Sequence, residues 1–320
     1  KEIEIITRNN GKITSKIVNI KQIDSLTPNI KKKIKSDIKK IISKRKNFNK
    51  KINFKEPLIM GILNMTPDSF SDGGKYIKLK NAFNHINAMI DAGAKIIDIG
   101  GESTRPGSKL INSKNEWSRI KKVIKTFKKK YDNILLSVDT RKSDIMLKAT
   151  SSRADIINDV SGFNHDKKSL NIIKKMNVWK VIHHMQGTPK NMQLNPKYKN
   201  VLLDIYDFFE EKISKEFKRT RHCKKIILDP GIGFGKNLKH NLMLLSKISL
   251  FHSLGFPILI GTSRKRFINH ISGKFDTKER LGGTISSVIF TLSQGVQIFR
   301  IHDVINVKQA ILVYKKLLEQ

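Results

Sequence analysis

What is scarce in this chain narrows the field first. Cys223 is the single cysteine; His222 stands beside it, and there is no CxxC or spaced His/Cys set. Neither a disulfide framework nor a structural zinc site is expected, and Cys223 reads as a solitary reduced thiol. No apolar run approaches the roughly 18 residues of a membrane-spanning helix. No charged-then-apolar leader opens the chain, so a soluble, cytoplasmic protein without a membrane partner is expected. The chain begins at Lys1 rather than Met, which leaves open what precedes it. Acidic residues are few, 27 Asp and Glu against 63 Lys and Arg, for a net charge of +36. Such an excess ordinarily points to nucleic acid or an anionic surface. Here it is carried by lysines scattered over helix faces, alongside abundant Ile and Asn, as a codon bias towards A and T produces. We read a generally basic, solvated surface with no specific nucleic-acid partner; an acidic small-molecule substrate is a compatible second cause.

What is present is enough for one large domain and an appendage: 320 residues, 38% of them hydrophobic. Residues 1–55 stand apart as a small basic extension. Two alternating stretches, 2–7 and 12–20, flank Asn9-Asn10-Gly11, a strong hairpin signal. After Pro28, isoleucines at 30, 34, 38, 41 and 42 recur at helical spacing among lysines. This amphipathic basic helix suits a membrane surface or a nucleic acid in principle, but such a stripe more often docks on its own protein. The run 44–51 reads as a linker.

From Leu58 onward, short apolar strands alternate with longer amphipathic stretches. Strands are expected at 58–63, 95–99, 134–138, 155–157, 178–183, 225–228, 257–260 and 296–301. Helices are expected near 79–91, 114–130, 143–151, 167–176, 199–218, 240–252, 278–293 and 304–318. Eight βα units over 56–320 predict an α/β (β/α)8 TIM barrel, whose active site lies at the carboxyl ends of the strands. An open doubly wound sheet is disfavoured, since no GxGxxG turn follows the first strand.

The polar residues just past each strand should therefore converge. They are Asn64; Asp98 with the 100–105 loop; Asp139-Thr140; Asn158-Asp159; His184; Asp229; Thr262-Ser263-Arg264-Lys265; and Arg300 with His302. Any one of them is explicable as a cap or a loop closure; a ring contributed by every strand is not. Arg105, Arg300 and His302, with the hydroxyls and amides of Ser103-Thr104 and of 66–69, make an anion-binding set suited to phosphate. Asp139, Asn158 and Asp229 suit a flat heterocycle with amino and ring N–H groups, or alternatively an acid and base pair. The segment 229–236 fails the GxxxxGK[ST] pattern and reads as a flexible loop bringing Phe234 over a ring. Lys265 is placed for a ligand contact, with a Schiff base or a plain surface lysine as the other readings.

Taken together, residues of about 57–319 resemble dihydropteroate synthase. The motifs are Gly61-Ile-Leu-Asn-Met-Thr-Pro-Asp-Ser-Phe-Ser-Asp-Gly-Gly74, Asp98-Ile-Gly-Gly-Glu-Ser-Thr-Arg-Pro-Gly107, Ser137-Val-Asp-Thr140, Ile157-Asn-Asp159, His184-Met-Gln-Gly187, Leu228-Asp-Pro-Gly-Ile-Gly-Phe-Gly-Lys236, Ser263-Arg-Lys265 and Arg300-Ile-His-Asp303. The resemblance implies a transferase of folate biosynthesis. It would condense 6-hydroxymethyl-7,8-dihydropterin diphosphate with p-aminobenzoate, giving 7,8-dihydropteroate and diphosphate with Mg2+ assisting. It implies pterin contacts from Asp139, Asn158, Asp229, Lys265 and Phe234. Diphosphate contacts would come from Asn64, Arg105, Arg300 and His302, with Asn64 also at the metal. The p-aminobenzoate pocket would be shaped by Phe70, Thr104, Pro106, Ser263 and again Phe234. Asn64, Arg105, Lys265, Arg300 and His302 are the expected catalytic group, sulfonamides the expected inhibitors, and the assembly a homodimer.

Two positions depart from the family pattern. Arg153 stands where glycine is common, which predicts a different loop before the fourth strand. His183 stands where an apolar residue is usual. The competing readings are a pterin-dependent methyltransferase, which has no use for the cationic set, a non-catalytic pterin-binding barrel, and a basic nucleic-acid-binding protein on a dead barrel.

Overall fold

The computed structural model describes residues 2–9, 11–49, 52–66, 75–273 and 276–320. The chain forms two compact units, one made of residues 1–44 with the short segment 252–255, the other of the rest.

In the first unit, β1 (Glu2–Asn9) pairs antiparallel with β2 (Lys12–Asn19), Asn9 opposite Lys12. Gly11 supplies the positive φ, +79°, that so tight a connection demands. Helix α1 (Pro28–Ile42) starts on Pro28, whose missing N–H is no loss in the first turn. Of its isoleucine stripe, Ile34 is buried while Ile30, Ile41 and Ile42 are exposed.

The second unit is the barrel. Its eight parallel strands are β3 (Leu58–Asn64), β4 (Ile96–Gly100), β5 (Leu135–Asp139), β6 (Ile156–Asp159), β7 (Trp179–His183), β8 (Ile226–Asp229), β9 (Leu259–Ile260) and β10 (Ile298–Ile301). They follow chain order around the sheet, with β3 hydrogen-bonded to both β4 and β10. A bridge between Leu228 and Ile258 closes the ring, Leu228 N–H donating to the Pro257 carbonyl at 2.9 Å. Around it lie α2 (Lys75–Asp91), α3 (Ser113–Lys130), α4 (Ser143–Ser151), α5 (Ser169–Lys175), α6 (Val201–Glu211), α7 (Leu238–Ser246), α8 (Arg266–Ser272), α9 (Leu281–Ser293) and α10 (Val304–Leu317). The (β/α)8 architecture is thus as the periodicity predicts.

The differences are local. The expected helix 199–218 gives way at Lys212–Phe217 to a π-helical turn that buries Phe217. The expected helix 240–252 stops at Ser246, and a 3-10 turn, Ile248–Leu254, follows. Helix α8 is an addition, in a stretch whose seven residues are too short to show a period. Arg153 keeps the left-handed conformation, φ +68°, because four backbone bonds close the end of α4 around it, including Arg153 N–H to the Thr150 carbonyl. Arg153 thus takes the left-handed cap position that glycine commonly occupies.

Alternation along each strand sorts the barrel interior into layers. The lower layer is apolar: Leu58, Met60, Ile96, Leu135, Ile156, Trp179, Val181, Ile227, Leu259 and Ile298. The stretch read as linker, 44–51, and the residues just after it do more than link. Ile52 joins this cluster, and Phe48 and Phe54 pack on it, the Phe48 ring 4.5 Å from that of Trp179. Two residues further along the same strands, the inward side chains turn polar.

Candidate active site

That polar layer is what the strand ends deliver. Asp98 on β4 and Asp139 on β5, Asn158 on β6, His183 on β7, Asp229 on β8 and Arg300 on β10 all share the inward parity of the apolar residues beneath them. Above them opens a cavity of about 670 Å³.

Asn64, Thr104, Arg105, Pro106, Asn158, Asp229, Phe234, Ser263, Lys265, Arg300 and His302 all line it. Asp139 is not among the lining side chains; its carboxylate is engaged by Arg300. Phe70 lies outside the described residues, as does the rest of the loop 67–74.

Arg300 is the hub. Its Nε donates to Asp98 Oδ2 at 2.7 Å and its Nη2 to Asp139 Oδ2 at 3.1 Å. Asp98, fully buried, also accepts from Ser137 Oγ at 2.5 Å and Asn158 Nδ2 at 3.2 Å. With its amide nitrogen so fixed, Asn158 turns a buried Oδ1 that has no partner among the described residues. An orphaned buried acceptor is costly, and a ligand donor is what relieves it.

Burial governs the titrating groups. It pushes Asp139 well above the ordinary carboxylate range, and the neighbouring Asp98 adds to the effect. It raises Asp229 to about 6, against the Gly231 N–H that donates to its Oδ1 at 2.8 Å. Burial and then Arg300 bring Lys265 down to about 8 and His302 to about 3. His302 is therefore neutral near pH 7; its Nδ1 lies 3.0 Å from Ser263 Oγ, which also accepts from the His302 N–H. Lys265 stands 4.1 Å above the Phe234 ring, a cation–π contact.

The segment 229–236 is fastened, contrary to its reading as a flexible loop. Gln193 Nε2 and Tyr198 Oη donate to the carbonyls of Gly233 and Gly235, and Gly233 N–H donates to Asn241 Oδ1. Lys236, buried and brought down to about 7, donates to the Phe234 carbonyl at 2.9 Å and bonds His184 Nδ1 at 3.1 Å. Gly231 is obligatory: at φ +70° a Cβ would stand 2.0 Å from the His184 carbonyl oxygen. The anchors come from other parts of the chain, so the sequence of the segment does not show them. Asp98 is placed at a strand end by the sequence, but its grip on Arg300, 202 positions away, is not.

Seven lining side chains are Lys or Arg and one, Asp229, is acidic. The cavity thus offers a recessed floor of hydrogen-bond acceptors for a planar N–H-bearing ring, under a cationic rim suited to a polyanion. Among the described residues no group of three or more His, Cys, Asp or Glu converges as a metal cage. Among the described residues no helix is long and apolar enough to cross a membrane.

Comparison with known proteins gives the family. Residues 60–302 match the family described as pterin binding enzyme. The dihydropteroate synthase of Escherichia coli strain K12 is 38% identical over 262 residues, covering 82% of this chain and 92% of the relative. The structure of Yersinia pestis dihydropteroate synthase with a sulfonamide drug complex superposes with a TM-score of 0.78 at 36% identity, over 84% of this chain and 97% of the other. That of Xanthomonas albilineans dihydropteroate synthase with 4-aminobenzoic acid also gives 0.78, at 32% identity over 84% and 96%. On these likenesses, over most of its length, the chain belongs to the pterin-binding enzyme family as a dihydropteroate synthase.

Proposed function

We propose that the cavity condenses 6-hydroxymethyl-7,8-dihydropterin diphosphate with p-aminobenzoate through the residues its geometry divides into floor and rim. The observation that carries the assignment is the buried Oδ1 of Asn158, without a partner among the described residues, beside the Asp98 and Asp139 carboxylates in a cavity lined by seven Lys and Arg side chains. Asp139, Asn158 and Asp229 take the N–H donors of the pterin, Lys265 donates to it, and Phe234 covers its face. Arg105, Arg300, His302 and Asn64 take the diphosphate. Thr104, Pro106, Ser263 and, from the sequence motif, Phe70 shape the p-aminobenzoate pocket.

Arg300 couples the two halves. Held through Nε by Asp98, it exchanges its Nη2 end from Asp139 to a diphosphate oxygen, which frees Asp139 for a pterin N–H. The C–O bond to the diphosphate then breaks, its electron pair leaving with the phosphate oxygen. Positive charge spreads from the exocyclic carbon into the electron-rich ring, and the rim cations stabilise the departing anion. The amine of p-aminobenzoate attacks that carbon, and its surplus proton goes to solvent. No strong base is required.

A divalent ion fits the donor set in one way only. A carboxamide oxygen such as that of Asn64 is a neutral, hard ligand, and Mg2+ needs few protein ligands when phosphate oxygens and water complete its octahedron. Mg2+ bound there would offset leaving-group charge. The homodimer belongs to the same reading: Phe290 on α9 and Ile305, Val313 and Leu317 on α10 are exposed, beside a shallow cavity lined by Ile285, Ala310 and Tyr314. A cytoplasmic location completes the proposal.

The test is diphosphate release by the purified protein with both substrates and Mg2+, omitting each in turn. Release that needs both substrates and yields 7,8-dihydropteroate is expected. Binding of the pterin without release would point instead to a non-catalytic barrel or a methyltransferase.

A further inference from the structure

His183 has no part in the assignments above, yet it stands among them. It lies two and four positions beyond Val181 and Trp179, which face the barrel core, so strand alternation turns its ring inward. The ring is buried and lines the cavity. Its plane is set by the Phe234 ring, edge to face with centroids 4.6 Å apart.

One nitrogen is committed. Nδ1 lies 2.9 Å from the Val160 carbonyl, which can only accept, so Nδ1 carries the proton. Burial, then Lys236 and Lys265, hold the ring's pKa well below the usual histidine value, so Nε2 keeps its lone pair. That nitrogen is 3.9 Å from Asp229 Oδ2. Two acceptors face each other with no hydrogen between them. Such a pair is relieved only by a donor placed against both. Gly231, whose added Cβ would come within 2.9 Å of His183 Cε1, keeps the protein's own side chains out of the gap.

We infer that His183 is a specificity-determining residue, its Nε2 accepting, beside Asp229, an N–H from the amino-substituted edge of the bound heterocycle. The inference rests on the pterin reading of the cavity and gives that site a second, neutral acceptor. A ring without the amino group gains nothing from it.

The test measures dissociation constants of the wild type and His183→Met for 6-hydroxymethylpterin and for its 2-desamino analogue. The expected result is a loss of about three- to tenfold for the amino compound, the range of one net hydrogen bond, and a change below about twofold for the analogue. Equal losses for both ligands would show a packing role and overturn the inference; no loss for either would also overturn it. His183→Gln, which retains an acceptor at the side-chain tip, decides the matter if the methionine variant does not fold. It is expected to keep the wild-type preference for the amino compound within about twofold; a loss confined to the amino compound would show that the acceptor must stand where Nε2 stands, and equal losses of both ligands would overturn the inference. A wild type that binds neither ligand would instead sink the pterin reading itself, a result distinguishable from failure of the His183 assignment alone.

Discussion

Asp98 offers the sharpest test of how the site is held. Its side chain is fully buried and accepts three hydrogen bonds, from Ser137, Asn158 and the charged Arg300. Asp98→Ala removes the acceptor of all three bonds and leaves the Arg300 guanidinium with Asp139. Breaking one partner out of a buried ion pair typically destabilises by about 3–5 kcal/mol, a large share of the roughly 5–15 kcal/mol that holds a domain folded. Asp98→Asn is gentler. Its amide oxygen can still face Arg300 and Asn158, while its NH2 faces Ser137, whose hydroxyl can rotate to accept. Only the charge is lost, at about 1.5–3 kcal/mol for a charge-assisted bond. If Arg300 must be held in place for diphosphate to leave, that difference appears as a drop of about ten- to a hundredfold in kcat/KM. Urea denaturation of both variants, paired with diphosphate-release kinetics, separates the two effects. Asp98→Ala within 1 kcal/mol of wild type, or Asp98→Asn with undiminished kcat/KM, would refute this account of the hub.

The other expectations are independent of it. Lys265, brought down to about 8, is charged at pH 7 and loses its proton as pH rises through 8; pterin affinity should fall over that interval in the wild type, and Lys265→Met should bind weakly with no such limb. The same shift has a stability consequence: between about pH 8 and the unfolded value near 10.4 the unfolded chain binds more protons at this residue, so its contribution to stability rises with pH across that window, as denaturation at several pH values would register. Trp179→Ala, which empties the barrel floor under Phe48 and Phe54, should cost about 3–5 kcal/mol in urea denaturation and leave KM unchanged. Sulfonamides should compete with p-aminobenzoate at the pocket of Thr104, Pro106 and Ser263; undiminished turnover at saturating drug would count against that assignment.

The sequence carried the strands and the residues at their ends, because a buried strand is a short apolar run and its inward parity is fixed by alternation. Asn158, Asp229 and Arg300 could therefore be placed at one mouth without coordinates. Their couplings could not. Nothing local tells that Asp98 grips Arg300, that Gln193, Tyr198 and Asn241 fasten the loop under Phe234, or that Asp139 sits behind a guanidinium instead of facing the cavity. Arg153 shows the limit from the other side. Glycine preference is a rule about cost, of order 1–3 kcal/mol for a strained residue, and the backbone bonds around Arg153 outweigh it.

The closure of the barrel also sets a timetable. Leu58 on the first barrel strand pairs with Ile298 on the last, 240 positions later. At a synthesis rate of about 5–20 residues per second, β3 waits roughly 12 to 48 s on the ribosome before its final neighbour exists. Throughout that interval one edge of an apolar strand, and the aromatic rings destined for the barrel floor, stand open to any other chain. The net charge of +36 opposes such meetings between nascent copies, because like charges repel.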